Sequence, residues 1–261
     1  MRGGVGLYRG GIIVKTPAQI EQMAAAGAIQ ARCLRMLRSK CRPGVTTEEL
    51  DEAAARFIAS QGAEASFLGY RGFPKSICTS PNSMVVHGIP GPHELRRGDE
   101  ISLDVGVTKD GWVADAAITV PVGPVDPDAE RLLGTTRAAL EAAVAEARAG
   151  NHLGDVSAAI QRTVESAGLS IIRSLVGHGI GRAMHEDPQI PNFGEPGHGP
   201  RLEPGMVLAI EPMVNAGGPG VRVCDDNWAV YSEDGSLAAH FEFTVAVTED
   251  GPRILTPWHE D

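Results

Sequence analysis

Apolar residues recur at helical intervals from Ile20 to Leu37, tracing one face of a helix. Thr16-Pro17-Ala18-Gln19 stands just before this run, with capping-box spacing and a proline at the first helical position, and predicts the helix start. Thr46 to Glu49 repeats the signal ahead of ELDEAAARFIAS, and Gly62 marks that helix's end. A second pair of helical patterns follows Pro127: DAERLLGTTRAALEAAVAEARA closed by Gly150, then DVSAAIQRTVESA closed by Gly168. After each pair the pattern changes to short apolar runs of strand type, such as ISL before Asp104 and VLAI before Glu211.

This order suggests a duplication. His87-Gly88-Ile89, Leu95-x-x-Gly98 and Asp104 follow the first helix pair, and His178-Gly179-Ile180, Leu202-x-x-Gly205 and Glu211 follow the second. In both halves the acid lies nine residues after the leucine. Two copies are too few for a solenoid, so they are expected to pack face to face around one site. The expected organisation is an N-terminal extension, residues 1–12, and a single catalytic domain, 13–261, whose repeats span about 13–122 and 123–255.

The chain's 261 residues, 43% hydrophobic and 21% charged, suffice for one large core or two halves sharing one. A formal charge of −10 argues against sequence-independent nucleic-acid binding, which needs a basic face. No segment approaches the roughly 20 apolar residues of a membrane span, and MRGGVGLYRGGIIVKTP lacks the apolar stretch of a secretory leader, so a cytoplasmic protein is expected. Cys33, Cys41, Cys78 and Cys224 are scattered with no CxxC pair, which favours reduced thiols over a disulfide framework or a zinc ribbon.

Chemistry concentrates in acids embedded in apolar runs. DVGVTKDGWVADAA, residues 104–117, reads as a hairpin. A turn at Lys109-Asp110 sets Asp104 directly opposite Asp115, and a turn at Asp110-Gly111 makes them diagonal neighbours; either register puts both on one face. That arrangement suits a metal pair, a proton-sharing dyad or two solvated acids. Glu211 in VLAIEPMV and Glu242 in HFEFTVAV lie in equally apolar surroundings with no adjacent Lys or Arg, which makes metal the better account. Four carboxylates and one imidazole match two divalent ions in charge, as in a two-metal hydrolytic centre. GHGIGRAMHEDP offers His178 and His185, but Arg182 breaks a GxGxxG pattern and Gln189 breaks HExxH. His152, His198 and His259 read as structural, while His93 and His240 carry no assignment.

The segments GYRGFPKSICTSPNSMVVHGIP, SLDVGVTKDGWVAD, GHGIGRAMHEDP, AIEPMV and HFEFTVAVTEDG, in this order, resemble the bacterial type I methionine aminopeptidases from about residue 13 onward. The resemblance implies the α+β pita-bread fold: two pseudo-symmetric halves, with a mainly antiparallel curved sheet covered by two helix pairs. It implies Asp104, Asp115, His178, Glu211 and Glu242 as ligands of two divalent ions (Co, Mn, Fe(II) or Zn), with Asp115 and Glu242 bridging and Glu211 also handling protons. His87 and His185 would bind substrate and stabilise the tetrahedral intermediate, and Tyr70, Phe73, Cys78 and Trp228 would line a methionine pocket. A monovalent-cation site of backbone carbonyls near Asn82 occurs in some relatives.

The implied reaction is removal of N-terminal methionine by hydroxide attack, on nascent chains whose second residue is small. Such a protein would meet its substrates at the ribosome and act as a monomer. Three positions depart from the family pattern: Phe243, where a histidine is common, Met184, where an aromatic residue is common, and Phe67, where a cysteine is frequent. The first puts a hydrogen bond supporting the metal in question, and the others pocket shape. An X-Pro aminopeptidase or prolidase shares the ligand set but usually carries a large N-terminal domain, and a non-catalytic peptide-binding relative should have lost ligands. A mononuclear non-haem iron site would want a second histidine in place of carboxylates.

Overall fold

The computed structural model describes residues 8–9 and 11–260. Most of the expected N-terminal extension, residues 1–7 and 10, lies outside the described residues. Tyr8–Arg9 pairs with Ile12–Ile13, and Ile12 pairs in parallel with Asp187.

Four helices form where the periodicity placed them: α1 (Pro17–Lys40), α2 (Thr47–Ser60), α3 (Pro127–Glu146) and α4 (Leu153–Ser166). Thr16 and Thr46 both close capping boxes, with Gln19 and Glu49, satisfying N–H groups that the first helical turn leaves free. Two boundaries differ from the sequence expectation. α3 stops at Glu146 rather than at the approach to Gly150, because Asn151 Nδ2 takes up the Glu146 carbonyl at 3.0 Å. α4 starts at Leu153, two residues before the expected Asp155, because Asp155 Oδ2 accepts the His152 N–H at 2.7 Å and makes His152 the cap.

The same backbone hydrogen bonds recur around the two helix pairs. Leu95 accepts from Gly44 and donates to Val45, and Leu202 accepts from Gly150 and donates to Asn151. Thr46 bridges to Glu94, and His152 bridges to Arg201.

The hairpin of strands Glu100–Lys109 and Trp112–Pro121 carries the first half of the site. Its register pairs Lys109 with Trp112, so Asp110 and Gly111 form the turn, both left-handed at φ 51° and 74° as a type I′ turn demands. Gly106 opposes Asp115 and Asp104 opposes Ala117, which makes the two acids diagonal neighbours on one face. The other face presents Ile101, Leu103, Val105, Val107, Ile118 and Val120 to the main core, with Leu34 and Leu37 of α1. Each such fully buried aliphatic contributes about 1.5–3 kcal/mol relative to exposure, so the apolar face fixes which way the acids point.

The second half supplies three neighbouring strands. Val207–Ile210 pairs antiparallel with Val176–Gly179 on one side and Phe243–Thr248 on the other. Glu211 directly follows the central strand, Glu242 directly precedes one flanking strand and His178 lies within the other, so all three emerge together. The approach is close: a Cβ on Gly177 or Gly179 would collide with the backbone oxygens of Ala209 and Asp187. The halves join at the site, where Thr244 Oγ1 accepts from Asp115 N (3.0 Å) and donates to Asp115 O (2.7 Å), and Glu242 N donates to Ala117 O (2.9 Å). Among the described strands the pairing is antiparallel except between Ile12 and Asp187. No helix among the described residues is long and apolar enough to cross a membrane.

Candidate metal centre

All eleven residues singled out in the sequence for metal, catalysis or substrate line one cavity of about 160 Å³. Asp104, Asp115, His178, Glu211 and Glu242 share it with His87 and His185 and with Tyr70, Phe73, Cys78 and Trp228. His93, His152, His198 and His259 are not part of it.

The acids are deeply buried: Asp104 is 9% exposed, Asp115 5% and Glu242 2%. Burial, then the charges of Asp115 and Glu211, pushes Asp104 well above the carboxylate range. Burial and then Glu211 raise Asp115 to about 7, and burial raises Glu211 to about 8. Glu242 is pushed well up by burial and then by Asp115, Glu211 and Asp104. Four acids in this state strongly favour a cation among them.

The donor set fits divalent metal. Asp104 Oδ1, Asp115 Oδ1 and Glu242 Oε1 are buried without hydrogen-bond partners, a cost of about 1–3 kcal/mol each unless coordinated. Asp115, His178 and Glu242 each bring one ligand atom within 4.8 Å of the others. His178 Nδ1 hydrogen-bonds the Gly179 carbonyl at 2.9 Å, which puts its proton on Nδ1 and leaves Nε2 free as a donor atom. Burial, with His185 next, holds His178 at about 4, so the ring is neutral, as a ligand must be.

His185 stands against this set, its ring 4.2 Å from that of His178. Tyr70 Oη bonds His185 Nδ1 at 2.7 Å; with the hydroxyl as donor, Nε2 keeps the proton and can donate to a substrate oxygen. Burial, then Arg71, lowers the pKa of His185, and burial, then His240 and His185, holds His87 at about 4. Both are neutral donors near pH 7. On the apolar side Phe73 meets Trp228 edge-to-face at 5.1 Å, and Cys78, paired directly with Asp104, has its thiol pushed well up by burial, so it acts as wall rather than nucleophile.

Three further residues line the cavity. Phe67 and Met184 are two of the departures noted in the sequence, and both touch the pocket. Arg71 was not anticipated: its φ of 48° follows from turn geometry that GYRG does not reveal by spacing. His240 is the main omission. Its Nε2 lies 3.5 Å from Glu211 Oε2, and its position two residues before Glu242 was the available signal, since strand alternation puts both on one side. Phe243 faces the other way and stacks on Trp258 at 4.7 Å.

Stability of the metal-free protein should show the acids. Folded carboxyls at about 7 and 8 keep protons that the unfolded chain releases near pH 4, so their contribution is full at low pH and lost as pH rises through 8. The neutral histidines oppose this below their unfolded value of about 6.5, because His87 and His178 stay uncharged down to about 4. Above pH 6.5 the acids act alone. Thermal melts of chelated protein are expected to fall in Tm between about pH 6.5 and 8.5, and metal-loaded protein is not; a flat metal-free profile would contradict the buried, proton-holding acids.

The chain matches known proteins along nearly its whole length. Residues 21–249 match the model of metallopeptidase family M24. The chain is 50% identical over 245 residues to methionine aminopeptidase 1 of Bacillus subtilis (strain 168), covering 94% of this chain and 99% of that one. The crystal structure of a methionine aminopeptidase from Thermotoga maritima superposes with a TM-score of 0.93 at 45% identity, covering 94% and 99% of the two chains. A Bacillus anthracis Xaa-Pro dipeptidase shares the fold alone, with a TM-score of 0.75 at 22% identity, and is matched over only 62% of its length. The expected pita-bread architecture is therefore the one observed. The chain belongs to metallopeptidase family M24, and within it to the methionine aminopeptidases.

Proposed function

We propose that this protein removes N-terminal methionine from peptides and nascent proteins whose second residue is small, using two divalent ions held by Asp104, Asp115, His178, Glu211 and Glu242. The carrying observation is the convergence of these five side chains, three of them with an unpartnered buried oxygen, on the cavity that also holds two neutral histidines and an aromatic wall. Divalent ions, when bound, supply Lewis acidity and lower the pKa of water from 15.7 to about 7. His87 and His185 donate to substrate oxygens, His185 being set by Tyr70, and Glu211 moves the proton of the attacking water. Phe73, Trp228 and Tyr70 accept the methionine thioether, which packs well against aromatic rings.

The same reading extends to organisation and place. The recurring hydrogen bonds around Leu95 and Leu202 support two diverged copies, about 13–122 and 123–255, in one catalytic domain. A monovalent cation near the Asn82 carbonyl is supported by Glu100, whose N–H donates to Asn82 Oδ1 and whose buried carboxylate has no partner. The protein acts as a cytoplasmic monomer on nascent chains, at the ribosome.

The test is an assay on Met-Gly-x and x-Pro peptides with chelated protein, then with Mn, Co, Fe(II) or Zn restored. Methionine release that requires metal is expected. Cleavage confined to x-Pro peptides, or release indifferent to chelation, overturns the proposal.

A further inference from the structure

His240 is buried at 2% exposure, and neither ring nitrogen has a hydrogen-bond partner. Its backbone is clamped: its N–H donates to Thr119 Oγ1 at 2.9 Å, that hydroxyl donates back to its carbonyl at 2.8 Å, and it pairs with Met213. Alternation then fixes its direction. Phe241 and Phe243 both pack on Trp258, at 5.9 and 4.7 Å, while His240 and Glu242 face the cavity side. Trp258 Nε1 donates to the Glu242 carbonyl at 2.9 Å and locks the arrangement.

Nε2 of His240 lies 3.5 Å from Glu211 Oε2 and 3.9 Å from Glu242 Oε2. Glu211 Oε1 lies 3.6 Å from His178 Nε2. The Glu211 carboxylate is thus flanked by two imidazoles, one on each oxygen. They differ in role: His178 has its proton fixed on Nδ1 by Gly179, and nothing fixes the tautomer of His240 except the carboxylates in front of Nε2. A buried imidazole left without a partner is destabilising, and of the two carboxylates before Nε2, Glu211 is the nearer acceptor. Such hydrogen bonds are commonly long before ligands bind and then tighten.

We propose that His240 is a positioning residue, whose Nε2–H donates to Glu211 Oε2 and holds that carboxylate with Oε1 turned to the His178 side. The imidazole supporting the acidic cluster therefore stands two residues before Glu242, and Phe243 belongs to the aromatic wedge behind it. This role rests on the proposed aminopeptidase function for its kinetic consequence only. Loss of a supporting partner of this kind typically costs 10–100-fold in metal affinity or activity.

Two variants, His240→Ala and His240→Gln, test it by calorimetric titration of chelated protein with Mn(II) or Co(II), and by kcat and KM for Met-Gly-x release. Glutamine offers an amide N–H donor and is a poor metal ligand. Expected for alanine is an unchanged number of bound ions, metal affinity lowered about 10-fold or more, and kcat lowered by a similar factor with KM within twofold. Glutamine restores most of both. Equal affinity and kcat in the alanine variant overturn the proposal, and so does a glutamine variant that behaves like alanine, or loss of an ion in both, which makes His240 a ligand. If the unmutated protein binds metal yet releases no methionine, the functional reading fails, and the titrations still decide the role of His240.

Discussion

Asp104→Asn is expected to lose methionine release by more than about a hundredfold, beyond the range that follows from removing a mere supporting group, while the metal-free variant becomes more stable than the unmutated protein. The opposite signs have one cause. Asp104 is buried among Asp115 and Glu211, and its carboxyl is pushed well above the usual range by burial and by those neighbours. Asparagine keeps the shape and removes the ionisable group, so folding near neutral pH no longer requires holding a proton on a buried acid. Each pKa unit of such a shift corresponds to about 1.4 kcal/mol, and for a chain of this size 1 kcal/mol moves Tm by about 2–4 °C. The charge that destabilises the metal-free cluster is the charge we propose to bind metal. Melts of chelated protein and calorimetric metal titration separate the cases: a variant that is inactive and also less stable without metal has been damaged in its fold, and one that keeps full activity removes Asp104 from the ligand set.

This opposition also explains what could be read from sequence. An ionised carboxylate in an apolar run violates local pattern, and such violations mark function, so Asp104, Asp115, Glu211 and Glu242 stood out without any knowledge of geometry. Helix starts were equally legible at Thr16 and Thr46, because a capping box is a local hydrogen-bond arrangement written in four residues. Parity placed Asp104 and Asp115 on one face but left two registers open; the left-handed preference of Asp110-Gly111 decides it, a signal present in the dipeptide. What escaped was tertiary. Arg71 enters the cavity through a backbone turn, and α3 ends at Glu146 because a side chain five residues on takes its carbonyl. His240 carries no assignment from sequence, because its partners, Glu211 and Thr119, are distant in the chain, although its two-residue offset from Glu242 is visible there. Isolated polar residues become interpretable only through their neighbours.

Breaking the buried Lys15–Glu186 pair is expected to cost about 3–5 kcal/mol, a large fraction of a typical folding free energy of about 5–15 kcal/mol. Lys15 Nζ lies 2.6 Å from Glu186 Oε2, with the two side chains 2% and 5% exposed. Burial lowers the lysine pKa and the hydrogen bond to Glu186 raises it, so the ammonium depends on its partner. The other glutamate oxygen accepts the backbone N–H groups of Arg182 (2.8 Å) and Ala183 (3.2 Å). These residues lead into His185, so one carboxylate ties the N-terminal segment to the loop that presents this cavity-lining histidine. Lys15→Met leaves Glu186 buried and unpaired, and its Tm should drop by roughly 10 °C at 2–4 °C per kcal/mol. The double variant Lys15→Met/Glu186→Leu removes both charges, and replacing a buried pair by apolar groups of similar size is often neutral. Its Tm should recover most of the loss. Activity should not: without the Glu186 acceptor the N–H groups of Arg182 and Ala183 are released, and kcat is expected to stay about tenfold down or lower, because small misplacement of a donor is costly in the transition state. A double variant that regains both Tm and kcat would show that the pair stabilises the fold without positioning His185, whereas recovery of Tm alone assigns Glu186 the second task.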